Sequence, residues 1–217
     1  MENEKVLSRP FNNVFSRFFY QHESTILETR KKLYSNLIGY NFNIAAQVQM
    51  LLENRANSSQ SPLMGELYPC ILHELVPGLE NEVALDIAAA WLATYLLIVL
   101  VDNSTDKKEK IDGIIFAALH LESSKLQTFI TNKKWLEVFH QSAREAIQGQ
   151  IKDVELQRVI NHDEEKLKAA EEKNKILSAL ATVYASYASE READFMMDIT
   201  HNFLCGFQML DDILDFE

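Results

Sequence analysis

Apolar residues recur at helical spacing along most of this chain. Between residues 12 and 38, Val14, Phe15, Phe18, Phe19, Ile26, Leu27, Leu33 and Leu37 alternate with polar residues, as on a helix that buries one face. A second helix is predicted over Ile44–Leu52. The polar stretch Asn54–Pro62 reads as a loop by composition. A short helix over Leu63–Leu75 should stop at the Pro77-Gly78 turn. The next, from about Glu82 to Val101, contains Ile87–Val101, fifteen residues that are apolar save for Thr94 and are closed by Asp86 and Asp102. That run is shorter than the roughly 18–20 residues of a membrane span. It therefore predicts a central helix buried on all sides. Helices are also expected over Ile111–Ile130 and Trp135–Val154. A charged stretch, Asp163–Lys175, should continue as helix into the apolar Ile176–Ala188, and a last helix should run from about Glu190 to the C-terminus. No segment shows strand alternation. The reading is an all-α bundle, with residues 1–217 forming a single domain.

Composition supports this and narrows the partners. Hydrophobic residues make up 47% of the chain, while Gly 6 and Pro 4 are too few for the turns of a β-rich protein. A net charge of −11 makes a nucleic-acid backbone an unsuitable partner, and a phosphorylated small molecule would need metal ions to bridge it to acidic groups. The start, Met1-Glu2-Asn3-Glu4-Lys5, has the charge of an ordinary terminus and none of the apolar character of a signal peptide. With Cys70 and Cys205 as the two cysteines, a reducing, cytoplasmic setting is expected.

Two acidic stretches carry the candidate chemistry. In Gly206-Phe207-Gln208-Met209-Leu210-Asp211-Asp212-Ile213-Leu214-Asp215, Asp211 and Asp215 are one helical turn apart and share a face. Like charges at that spacing repel each other, and near a helix C-terminus they also oppose the macrodipole. Such a cluster invites a cation, and magnesium takes one or two carboxylates plus waters and phosphates. The other stretch pairs Asp102 with Asp106 at the foot of the apolar helix. Ile98, Tyr95 and Trp91 lie on the stripe above it, as Phe207, Phe203 and Thr200 lie behind Asp211. Two metal-binding rims above an apolar shaft would hold a diphosphate head and a hydrocarbon tail. The structural alternatives are a solvated acidic helix end and an ordinary aromatic core stripe.

The run Phe207-Gln208-Met209-Leu210-Asp211-Asp212-Ile213-Leu214-Asp215 resembles the second aspartate-rich motif of the trans-polyprenyl diphosphate synthases, in which Phe-Gln precedes Asp-Asp-x-x-Asp. Three further landmarks occur in the family's order. Asp102-Asn103-Ser104-Thr105-Asp106 resembles the first motif with its second Asp replaced, Gly149-Gln150 with Asp153 resembles Gly-Gln-x-x-Asp, and Lys173-Asn174 resembles the Lys-Thr pair. The resemblance implies an isoprenoid synthase-type helical bundle around a central apolar cavity. It implies that Asp102, Asp106, Asp211, Asp212 and Asp215 bind Mg2+ that holds the diphosphate of an allylic prenyl substrate. It further implies that Lys173 contacts that diphosphate, that Gln150, Asp153 and Gln208 orient ligand or carboxylates, and that Phe207, Ile98, Leu97, Tyr95 and Trp91 line the tail site. A homodimer is expected on the same ground.

This chain also departs from the family. Asn57–Pro62 lacks the basic residues that grip isopentenyl diphosphate, and Lys107, Lys108 and Lys110 stand where elongating members carry arginines, which alone make a bidentate fork. The family continues for several helices beyond the second motif, and this sequence stops two residues past Asp215. The expectation is therefore a terpene synthase-like enzyme that ionises one prenyl diphosphate. A chain-elongating prenyltransferase and a non-catalytic prenyl-binding or regulatory subunit are the alternatives. His201 and Cys205, four apart, are too few to make a zinc site.

Overall fold

The computed structural model describes residues 10–58, 64–106, 110–156 and 163–215, with residues 203–215 described as helical backbone. Among the described residues the chain is all-helical, without strands. Its elements are α1 (Pro10–Ile38), α2 (Phe42–Ser58), α3 (Met64–Glu74), α4 (Asn81–Asp106), α5 (Gly113–Ser123), a 3-10 turn (Ser124–Phe129), α6 (Lys133–Leu156), α7 (Asp163–Lys173), α8 (Lys175–Ala185) and α9 (Glu190–Asp215).

Side-chain caps set several of these boundaries. Asn41 Oδ1 accepts the Asn43 amide at 2.8 Å, Asp112 Oδ1 accepts those of Ile114 and Ile115, and Asn132 Oδ1 accepts that of Lys134. At the start of α9, Ser189 and Glu192 form a reciprocal capping box: Glu192 Oε2 accepts from the Ser189 amide at 2.9 Å and hydroxyl at 2.7 Å. These two hydrogen bonds hold the exposed Glu192 carboxyl below its ordinary value.

Several expected boundaries move. The predicted loop at Asn54 begins later, because α2 runs on to Ser58; Arg55 and Ala56 favour helix although the stretch as a whole reads as loop. The helix expected over Ile111–Ile130 is α5 followed by the 3-10 turn. Ser123 marks that change, its hydroxyl bonding back to the His120 carbonyl at 3.1 Å. The charged and apolar segments expected as one helix are α7 and α8, separated at Asn174, whose backbone remains right-handed helical.

The described chain gathers into two compact units. The first contains α1, α2, residues 64–71, 82–101 and 110–123. Its core joins Leu33 and Leu37 of α1 to Ala45, Val48 and Leu52 of α2, Leu92 and Leu96 of α4 and Leu119 of α5. Within it, Glu66 is buried and meets Arg30 through two hydrogen bonds, Nε to Oε1 at 2.5 Å and Nη2 to Oε2 at 2.8 Å. The hydrogen bonds it donates to Glu66 hold the Arg30 guanidinium above its ordinary value.

The second unit contains residues 72–81, 102–106, the 3-10 turn and α6–α9. Its centre is α8, buried continuously from Ser178 to Ala185 and packed by α6, α9 and the 3-10 turn. The alanines at 179, 181 and 185 let its neighbours approach closely. It is α8, and not the whole of α4, that is enclosed on every side. In α4 the enclosed part is Ile87–Ala93 together with Leu96, while 97–104 is half-buried. Its stretch Asn81–Ser104 is also long and apolar enough to cross a membrane, by length and composition only; half of its most apolar window is buried.

Candidate functional site

The expected site residues fall in both units. Trp91, Tyr95, Leu97 and Ile98 belong to the first. Trp91 is fully buried, with its ring 6.3 Å from that of Tyr68. Tyr95 is half-buried and lies against the backbone of Gly65, where a Cβ would run into its ring. Leu97 and Ile98 are half-buried.

Asp102, Gln150, Asp153 and Lys173 belong to the second unit, and three of them meet. Lys173 Nζ lies 3.4 Å from Asp102 Oδ1 and 3.4 Å from Asp153 Oδ2. Gln150 is half-buried on the same helix as Asp153. Asp106 is helical, one turn beyond Asp102, and Asp211, Asp212 and Asp215 lie on the last turns of α9. The side chains of Asp106, Asp211, Asp212, Asp215, Phe207 and Gln208 lie outside the described residues.

Gly149 explains why Lys173 stands where it does. Ser142, Ala146 and Gly149 are buried on one stripe of α6, and small side chains there let α7 come close. A Cβ at 149 would strike the Lys173 amide nitrogen, and would lie 2.6 Å from the Glu172 carbonyl carbon and 2.8 Å from the Ala169 oxygen. All three are backbone atoms, so a larger residue would push the helices apart. One turn along α6, Lys152 bonds Glu172 at 2.5 Å, a second tie between the same helices. The glycine thus fixes the root of the Lys173 side chain, and the two carboxylates receive its tip.

The two carboxylates are held differently. Asp153 Oδ2 accepts a hydrogen bond from Lys173. Asp102 Oδ1 is a buried atom that accepts no hydrogen bond from the described residues; what faces it is the Lys173 charge. A buried acceptor in that position is costly, which suits it to a stronger cationic partner. Two carboxylates and one ammonium leave a single net negative charge. Of these groups only the carboxylate oxygens could serve a cation such as magnesium, which takes one or two carboxylates and completes its shell with water and phosphate. Among the described residues no group of three or more His, Cys, Asp or Glu side chains is arranged to hold a metal.

The sequence reading named Asp102, Asp153 and Lys173 separately and missed that one lysine joins the two aspartates. It also passed over Glu66, whose signal was an acid between Leu63-Met64-Gly65 and the apolar stretch Leu67-Tyr68-Pro69-Cys70-Ile71-Leu72. Comparisons with family models, curated proteins and solved structures found no match for this chain.

Proposed function

We propose that this protein is a magnesium-dependent isoprenoid diphosphate enzyme that ionises an allylic prenyl diphosphate, with terpene synthase-type chemistry favoured. The observation that carries the reading is the meeting of Asp102, Asp153 and Lys173, drawn from three of the four stretches that resemble the trans-polyprenyl diphosphate synthases. Asp102, with Asp106, Asp211, Asp212 and Asp215, would hold magnesium. Bound there, the metal supplies the positive charge that stabilises the departing diphosphate.

The chain's own residues do the rest. Lys173 donates to diphosphate oxygens, and its flexible ammonium can follow the charge as it develops. Asp153 orients Lys173, and Gln150 and Gln208 orient ligand. Trp91, Tyr95, Leu97, Ile98 and Phe207 are assigned to the hydrocarbon tail, where apolar walls keep water from an allylic cation. Chain elongation with isopentenyl diphosphate is the second reading, since Lys107, Lys108 and Lys110 could supply charge where elongating enzymes carry arginines.

The deciding experiment supplies magnesium and C10 to C20 prenyl diphosphates, with and without isopentenyl diphosphate. Diphosphate release without isopentenyl diphosphate supports the favoured reading, and longer products that require it support elongation. Binding without turnover indicates a non-catalytic prenyl-binding subunit. Asp211→Ala is expected to abolish turnover in either enzyme; full activity in that variant removes Asp211 from the mechanism.

A further inference from the structure

The two partners of Lys173 differ in kind. Towards Asp153 it is a hydrogen-bond donor; towards Asp102 Oδ1, at the same 3.4 Å, it is a charge without hydrogen-bond geometry. Its root is fixed, because its amide packs against Gly149 and its neighbour Glu172 is tied to Lys152. Only the tip of a four-carbon stem is free to choose between the two oxygens. Lysine suits such a choice, since its three donors rotate about a single point charge, whereas an arginine fork would be committed to one geometry. Of the two partners, Asp102 is the one it can release at less loss, because no hydrogen bond is broken.

We infer that Lys173 is a built-in competitor of the divalent cation at Asp102, and that Asp153 is the positioning residue that keeps the ammonium when a cation takes that oxygen. This rests on Asp102 being a cation ligand, as the proposed function has it. The device has two consequences. The buried oxygen always faces a positive charge, so the acidic site tolerates low cation concentration. A cation that binds there moves the ammonium away from Asp102, leaving it on the Asp153 side, ready for an anionic ligand.

The test is a titration of the full chain with Mn2+ as a probe for Mg2+, following free Mn2+ by electron paramagnetic resonance. Lys173→Met is expected to bind Mn2+ about tenfold more tightly than the unaltered chain, because a charge 3.4 Å from the ligand oxygen no longer competes. The gain must vanish when Asp102→Asn is added. A gain that persists in the double variant is a general charge effect and overturns the inference. If the unaltered chain binds Mn2+ and Lys173→Met binds it no better, the inference falls while the cation site stands. If neither binds, the cation site falls with it.

A second measurement needs no variant. Amine acetylation followed by mass spectrometry should label Lys173 several-fold faster once Mn2+ saturates the site, with Lys152, bonded to Glu172, as the unchanged control. Equal labelling of Lys173 with and without bound Mn2+ overturns the inference.

Discussion

Each unit holds a charged cluster, and the two are built on opposite plans. In the first unit the Glu66 carboxylate is wholly buried and both of its oxygens are taken by the fork of Arg30, at 2.5 and 2.8 Å. Burying that acid is tolerable only because the geometry is complete: a bidentate guanidinium satisfies a carboxylate with parallel, charge-assisted hydrogen bonds. In the second unit Lys173 is 30% exposed and shared between two acids at 3.4 Å, leaving one buried oxygen without a hydrogen bond. A pair in which both carboxylate oxygens are taken by one guanidinium holds helices together. A set with one ammonium for two carboxylates keeps capacity for a ligand. Net stabilisation from such a partly solvated pair is small.

The contrast can be broken most directly at Arg30. Arg30→Met should destabilise the protein by about 3–5 kcal/mol, the cost of leaving a buried acid unpaired, read as a fall in the midpoint of urea unfolding. A loss below about 1 kcal/mol would mean that Glu66 does not depend on its partner, and the comparison fails. Gly149→Ala comes next. Its methyl would meet backbone and not a yielding side chain, so a loss of about 1–3 kcal/mol is expected, and cation binding should change with the displaced Lys173. Lys173→Met should cost less than about 1 kcal/mol in stability despite its effect on ligands; a loss as large as that of Arg30→Met would make the second cluster structural as well.

The smallest effect tests a carboxylate held by neutral donors alone. Glu192 has its pKa lowered by Ser189, so its contribution to stability is complete above the unfolded-state value and is lost as pH falls through the lower folded-state value. The melting-temperature difference between the unaltered chain and Glu192→Gln should therefore shrink in acid, below the ordinary carboxylate range. A difference that stays constant through that range would show that the charge of Glu192 contributes nothing to the cap.

Helices were legible in the residues because their causes are local. Helical spacing and apolar runs placed α1, α3, α6 and α9 to within a few residues, while the local Ser189–Glu192 capping box went unread. Where local signals were averaged over a mixed stretch, they misled: polar composition hid the end of α2, and an apolar run predicted full burial of α4 where residues 97–104 are half-buried. The resemblance of four stretches to one family named Asp102, Asp153 and Lys173, but spacing along a chain cannot show that one ammonium lies between two acids.

What the sequence determined by itself is therefore the helical class, the bounds of several helices, and a list of chemically capable residues. Tertiary structure alone decided which of them touch. Gly149 could have been a helix weakness or a contact, and became a contact because α7 packs where a Cβ would stand. Arg30 and Glu66, like Lys173 and Asp102, are distant in sequence, and only the packing of separate helices brings their charges within a few ångströms. Electrostatic energy at such range depends on separation and burial, and neither quantity exists until the helices have packed.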